Sequence, residues 1–290
     1  MDFLLAYYYI AVFLLGLCIG SFLNCFVYRL EQEKSMKGRS FCPHCKHELN
    51  WKDLFPVFSF LFLGGKCRYC RKKISWQYPL VEIATGIIFV LIFLLSSRAL
   101  PQQGVAIQSA CTNLLDCHVA SLLAMTLSMT FLFYVASSLI IIFIYDLKHY
   151  IIPDKVLFPA IIIAFLYLLV ENFASLKTLN FFLLGNYVLA ATIAAGFFLV
   201  IFLLSRGKAM GFGDVKLAVL MGFLLGLPNI FLALFSAFFF GAIIGIILMV
   251  YNKKGLKSEI PFGPFLILGT FIAMFWGNQI IQWYLNFLKI

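Results

Sequence analysis

Eight runs of apolar residues, most of them long enough to cross a hydrocarbon layer, constrain this chain more than any other feature. They cover about 3–28, 79–97, 119–145, 155–172, 180–204, 214–227, 229–251 and 262–286, against roughly 17 to 25 residues for a transmembrane helix. With 63% of residues hydrophobic and only 12% charged, and a mean hydropathy of +1.00, the composition lies outside that of soluble domains. The expected fold is an all-α polytopic membrane protein of about eight transmembrane helices. The sixth run is short and abuts Pro228, so a seven-helix arrangement with 214–227 as a half-helix is the alternative. The first run has no basic stretch before it and far exceeds a signal-peptide core of roughly 7 to 15 residues. It is expected to remain as an anchor.

Orientation follows from the basic residues, which are retained on the cytoplasmic side. Of 22 Lys and Arg, 11 lie in 29–78, and the segments 146–155, 205–216 and 252–258 bring that face to 19. The opposite face holds Arg98, Lys177 and Lys289. Both termini are therefore expected outside. The net charge of +10 is then a topology signal with some affinity for anionic lipid headgroups, and no nucleic-acid partner is expected. The boundaries divide the chain into a first transmembrane helix (1–30), a cytoplasmic loop domain (31–78) and a transmembrane bundle (79–290).

The loop domain carries Cys42-Pro43-His44-Cys45 and, after 21 intervening residues, Cys67-Arg68-Tyr69-Cys70. Two such knuckles supply the four thiolates of a tetrahedral zinc site, closed by protein ligands and hence structural. A loop this short cannot bury enough apolar surface to fold alone, and metal binding supplies the missing free energy. Basic neighbours Lys46, Lys66, Arg68 and Arg71 offset the thiolate charge. Disulfides or free thiols are the alternative, and a reducing cytoplasm disfavours disulfides. His44 and His47 are possible substitute ligands, but four Cys make exposure the simpler expectation. Between the knuckles, the apolar stretch 54–62 is expected to lie against the membrane surface or the bundle. No internal repeat is evident.

Ionisable side chains at membrane depth cost several kcal/mol unless paired or hydrated, and are functional suspects by default. Asp214 lies in Gly211-Phe212-Gly213-Asp214-Val215-Lys216, and Asp146 ends another apolar run. Asp214 alone could simply cap the following helix. Two acids in comparable settings point instead to a catalytic pair. The glycines permit close backbone approach. Lys216 is expected to hold the Asp214 carboxyl down if near, or to snorkel if not. Asp154, after Pro153, reads first as a helix-start acid and second as catalytic. Glu82 follows Pro79 in a first helical turn and reads as a dipole-compatible acid or an active-site contact. Gly20, Ser21 and Asn24 share a helix face suited to close packing, with Asn24 open to a polar role. His149 reads as a solvated boundary histidine, a general base being the alternative. Cys18 and Cys25 are apolar fillers, and Cys111 and Cys117 on the outer side are candidates for a small disulfide.

Taken together, Gly20–Asn24 with Tyr28-Arg29-Leu30, the paired knuckles, Tyr78-Pro79-Leu80-Val81-Glu82, Asp146 with Ile152-Pro153-Asp154, Gly211–Lys216 and Ile260-Pro261-Phe262-Gly263-Pro264-Phe265 resemble the type IV prepilin peptidases. The resemblance spans nearly the whole chain, and no motif departs from the pattern. It implies a membrane aspartic endopeptidase of the bacterial inner membrane, with Asp146 and Asp214 as the pair and the active site facing the cytoplasm. The implied substrates are type IV prepilins and type II secretion pseudopilins, cut after a basic leader ending in Gly. It also implies N-methylation of the new first residue, usually Phe, with S-adenosylmethionine as donor. No Gly-rich cofactor cradle is visible, so residues for the methyl donor are not assigned beyond the zinc loop and Glu82 as places to look.

The residues support the same chemistry. Two carboxylates within reach of one water share a proton; the ionised one activates the water, and the protonated one hydrogen-bonds the developing oxyanion. The main rival is an ion- or proton-coupled transporter in which Asp146, Asp154 and Asp214 relay charge, although such acids belong near the bilayer centre and these lie at one boundary. A scaffold that docks a partner through the zinc loop is the third reading.

Overall fold

The computed structural model describes residues 2–35, 38–108, 114–174, 181–208, 210–250 and 261–288. Cys111 and the side chain of Cys117 lie outside the described residues, as does Ile260. The described chain is helical, with two isolated bridges, Phe41 with Glu48 and Lys66 with Lys73, as its β-structure. The helices are α1 (Asp2–Glu31), α2 (Phe58–Phe62), α3 (Gln77–Gln108), α4 (Leu114–His149), α5 (Asp154–Ala174), α6 (Phe181–Ser205), α7 (Phe212–Leu225), α8 (Asn229–Val250) and α9 (Gly263–Leu288).

Each of the eight apolar runs falls on one helix, because a chain in hydrocarbon must satisfy its backbone polar groups internally. Among the described residues, six helices are long and apolar enough to cross a membrane: α1, α3, α4, α6, α8 and α9. The chain is a multi-pass membrane protein. α7 has 14 residues, rises about 21 Å, and is too short for a core of about 30 Å. That favours the half-helix alternative for this run. α5 begins on Asp154-Lys155 and carries Glu171 near its end, which shortens its apolar stretch.

The chain forms two compact units, Met1–Ile141 and Ile142–Ile290. In the first, α1 and α3 run antiparallel in close contact. A Cβ on Gly16 would lie 2.6 Å from the Gly86 Cα, and one on Gly20 would lie 2.7 Å from the Glu82 Cα. Small residues thus let the backbones meet, as membrane helices require when no hydrophobic force drives them together. The fully buried Phe89 of α3 stacks on Phe133 of α4 with ring centres 4.1 Å apart.

In the second unit α7 is the buried centre. Leu217, Ala218, Leu220 and Met221 have no exposed surface, and Gly222 packs on the Ala191 backbone of α6. α8 and α9 meet where Gly269 faces Ala233. Phe198, Phe238 and Phe262 cluster beside the start of α9, with rings 5.0 to 6.2 Å apart. A short helix largely buried among its neighbours suits the presentation of a polar group at its end: Asp214 and Val215 are buried, although Phe212 at its start is half exposed.

Candidate active site and metal centre

Asp146 sits in the last turns of α4 and Asp214 in the first turn of α7, only 4% and 7% exposed. The chain enters α7 through Gly211 in an extended conformation, without a side-chain cap. Asp214 is therefore not the N-cap residue that a purely structural reading requires. Its carboxylate does accept a bond from the Gly211 N–H, as an acid three residues into a helix can. Asp146 accepts from the Gly263 N–H, one of the first-turn donors of α9 that no helical carbonyl can satisfy. Two helix N-termini thus converge on two acids, and the charge of Asp146 acts on Asp214.

Close approach is built into the glycines. A Cβ on Gly263 would lie 2.5 Å from the Asp146 Oδ2, and one on Gly213 would lie 3.0 Å from the Ile152 Cβ. Ile152 lies against both glycine positions and so fixes the separation of the helix starts. Gly263→Ala is expected to displace the Asp146 carboxylate and lower peptide cleavage about 100-fold, the scale of a 1 Å misplacement, without altering zinc content. Initial rates on a prepilin substrate, with metal analysis alongside, check this.

Asp154 belongs elsewhere. Its side chain is 52% exposed and Lys216 Nζ lies 2.8 Å from both carboxylate oxygens. Lys216 also sits over the rings of Phe158 and Phe212. The lysine beside the central acid therefore pairs with Asp154 rather than Asp214. His149 packs on Tyr145 with ring centres 4.6 Å apart and is exposed.

The loop domain turns out to contain the repeat that was not evident in the sequence. Residues 65–74 copy the hydrogen-bonding of 40–49, each standing 25 positions after its counterpart. Cys42 N–H donates to His47 O and Cys67 N–H to Lys72 O; Leu49 N–H donates to Ser40 O and Ile74 N–H to Gly65 O. Lys46 and Arg71 both take φ +58. Only the two cysteines of each half are identical, so the match lies in backbone geometry. Arg68 bonds Asp53 at 2.7 Å, and Asn50 Nδ2 donates to the Tyr69 hydroxyl at 3.0 Å.

The repeat brings the sulfurs of Cys42, Cys45, Cys67 and Cys70 within 4.8 Å of one another, with Cys42 and Cys70 at 3.9 Å. Tetrahedral zinc, with Zn–S near 2.3 Å, sets its sulfurs about 3.8 Å apart, so the donor set fits that ion. His47 packs against Tyr69 with ring centres 3.7 Å apart and His44 is exposed. Burial works to raise the Cys42 thiol, but the Cys45 and His44 N–H groups and neighbouring sulfhydryls bring it down to about 7. The Lys72 N–H draws Cys70 down, yet burial and the other three thiols push it up to about 11.

Without a cation one thiolate forms readily and the cluster opposes another. At neutral pH metal must therefore displace thiol protons from the cluster, so affinity rises with pH and falls on acidification. We expect about one zinc per chain, loss of zinc from the Cys67→Ser, Cys70→Ser double variant, and faster removal by chelator at pH 6 than at pH 8. Metal analysis after dialysis decides it, and full occupancy in the double variant would rule the site out.

Between the knuckles, Phe60 is buried against Trp76 and beneath Gly65, whereas Phe55, Phe58, Leu61 and Phe62 are exposed. Val57 adopts φ +59, unusual for a β-branched residue, and its N–H donates to Glu82 Oε2 at 2.7 Å. Glu82 is thus more than a helix-start acid, since it clamps the loop to α3. Asn24 donates to Tyr78 O at 3.1 Å and leaves its own Oδ1 buried without a partner. Arg29 is buried and donates to Gly38 O and Arg39 O. In the sequence Arg29 stands out as a topology charge and within Tyr28-Arg29-Leu30; the signal for its anchoring role is a cation at a helix end followed by a polar turn.

Residues 14–96 match the bacterial peptidase A24 N-terminal domain, and residues 132–246 match the type IV leader peptidase family. The chain is similar to proteins named prepilin leader peptidase/N-methyltransferase. That of Pseudomonas aeruginosa is 32% identical over 94% of this chain and 92% of its own length. That of Aeromonas hydrophila is 30% identical over 97% and 95%, and that of Bacillus subtilis 28% over 95% and 97%. No solved structure matches the chain.

Proposed function

The chain belongs to the type IV leader peptidase family, and on that premise we propose that it is a bifunctional membrane enzyme that removes the leader of type IV prepilins and pseudopilins and then N-methylates the new first residue. The observation that carries the peptidase reading is the pair of buried, mutually interacting carboxylates, each at a helix end and each held by a backbone N–H. One acid, ionised, takes a proton from water as it attacks the scissile carbonyl; its protonated partner donates to the oxyanion. The assignment of Asp146 and Asp214 to these roles is part of the proposal.

The distribution of Lys and Arg supports placing the acids and the loop domain on the cytoplasmic side of a bacterial inner membrane. Cleavage there falls just before the substrate's apolar segment. We further propose the division into a first helix (1–30), a zinc domain (31–78) and a peptidase bundle (79–290). Zinc on Cys42, Cys45, Cys67 and Cys70 organises the loop. S-adenosylmethionine, when bound, supplies a methyl group activated on a sulfonium. The test is incubation of the purified chain in detergent or liposomes with a full-length prepilin, read as release of the leader. Cleavage at the leader junction supports the reading, whereas an intact prepilin in the presence of folded, zinc-loaded chain contradicts it.

A further inference from the structure

Methyl transfer requires a place where the substrate's new amine is held, and the first unit contains a polar group that the peptidase chemistry leaves unused. It lies in the elbow where α1 and α3 cross. Glu82, facing Gly20, is 6% exposed, and Asn24, one turn further along α1, is 3% exposed. The Glu82 carboxylate accepts from the Val57 N–H and from the Ser21 hydroxyl. A carboxylate offers about four acceptor positions, so capacity remains.

Asn24 donates Nδ2 to the Tyr78 carbonyl, which fixes the amide's orientation, because the reverse would set oxygen against oxygen. Its Oδ1 is then a buried acceptor without a donor, an arrangement that is costly unless a ligand fills it. Two acceptors about a turn apart, one of them a carboxylate, call for a ligand with several N–H donors and a positive charge. A primary ammonium has both. Beside this elbow runs a cleft of about 620 Å³, lined by Leu14, Leu17 and Cys18 of α1 and by Pro56 and Phe58 on either side of Val57. Its surface is mostly apolar, with Lys52 and Arg68 also on its lining, and suits an apolar side chain carried by the residue whose amine enters the elbow.

We propose that Ser21, Asn24 and Glu82 form the amine site of the methyl-transfer reaction, binding the free α-ammonium of a cleaved substrate whose first side chain occupies the adjoining cleft. The inference rests on the methyltransferase reading above. Glu82 accepts one proton from the ammonium, leaving a neutral amine. The nitrogen lone pair forms a bond to the methyl carbon of the sulfonium donor as the carbon–sulfur bond breaks. The electron pair of that bond remains on sulfur, which becomes a neutral thioether. The product is a secondary ammonium, and the Glu82 proton passes to solvent.

Binding separates this role from a structural one. The probe is a fluorescent peptide beginning with Phe, with either a free or an acetylated α-amine, titrated into the purified zinc-loaded chain in detergent and read by anisotropy. The unaltered chain should bind the free amine at least ten-fold more tightly than the acetylated form. Glu82→Gln retains an acceptor for the Val57 N–H and removes only the charge, so it should reduce the ratio to less than two-fold with zinc content and thermal midpoint unchanged. Asn24→Leu leaves the Val57 bond untouched and should weaken free-amine binding selectively, which decides the matter should Glu82→Gln fail to fold. A ratio unchanged in both variants overturns the amine site. So do wild-type rates of methyl incorporation into pre-cleaved substrate by both. Discrimination by the unaltered chain without any methyl incorporation from labelled donor would instead overturn the methyltransferase reading and leave the amine site standing.

Discussion

Asp146→Asn and Asp214→Asn are each expected to lower prepilin cleavage by about 10³-fold or more, while Asp154→Asn retains most activity. General acid–base assistance contributes about 10²–10⁴-fold and oxyanion stabilisation a comparable amount. On the proposed assignment the two acids divide those roles, so loss of either is expected to remove a large part of the acceleration. The substitutions should be structurally mild. Asn keeps an acceptor for the Gly263 N–H at position 146 and for the Gly211 N–H at position 214, so the stability change should stay within about 1 kcal/mol. Asp154 is half exposed and paired with Lys216, and an exposed pair is worth about 0–1 kcal/mol. Initial rates with matched zinc content and detergent-resistant folding decide it. An inactive Asp154→Asn beside an active Asp146→Asn would show that the pair has been misassigned.

The second large effect concerns separation of the two activities. The acids belong to the unit Ile142–Ile290, whereas the four cysteines and Glu82 belong to Met1–Ile141. Transfer of a methyl group from a sulfonium needs a free amine and positioning, but no acid pair. The Asp146→Asn and Asp214→Asn variants, given a substrate already cleaved, should therefore methylate it at close to the wild-type rate. The Cys67→Ser, Cys70→Ser variant should lose methylation at least ten-fold, since structural zinc contributes about 10–16 kcal/mol to folding such loops and the Val57 clamp on Glu82 depends on the loop's path. Incorporation of labelled methyl from S-adenosylmethionine is the readout. Equal loss of methylation in the acid variants would mean that the two chemistries share one site.

Much of this was legible in the sequence, and the reasons differ by feature. Apolar runs define helices because hydrocarbon leaves the backbone no other partners, so all eight fell on helices. The span count was less secure, because hydropathy cannot show that a 14-residue helix such as α7 is largely buried among its neighbours rather than spanning. Paired knuckles predicted the thiol cluster, since metal spacing is written locally in the chain. The 25-residue backbone repeat between those knuckles was not legible, because it is carried by hydrogen bonds and the φ of Lys46 and Arg71.

The setting of the acids was partly visible. Gly211 and Gly213 signalled close approach, but only the fold brings Gly263 against Asp146, from more than a hundred residues away. The choice of Asp154 as the partner of Lys216 likewise depends on how α5 and α7 pack, which charge spacing alone does not reveal. Glu82 and Asn24 stood out as polar residues in apolar helices. What they bond became clear only when α1, α3 and the loop met.

The central claim is that one chain both cleaves and methylates, and the most direct measurement is mass spectrometry of a type IV prepilin co-expressed with it in cells lacking other prepilin-processing activity. The account predicts a mature protein lacking its leader and carrying one added methyl group on the new N-terminal nitrogen, with the Asp146→Asn and Asp214→Asn chains leaving the leader attached. An intact, unmethylated prepilin beside folded wild-type chain would contradict it.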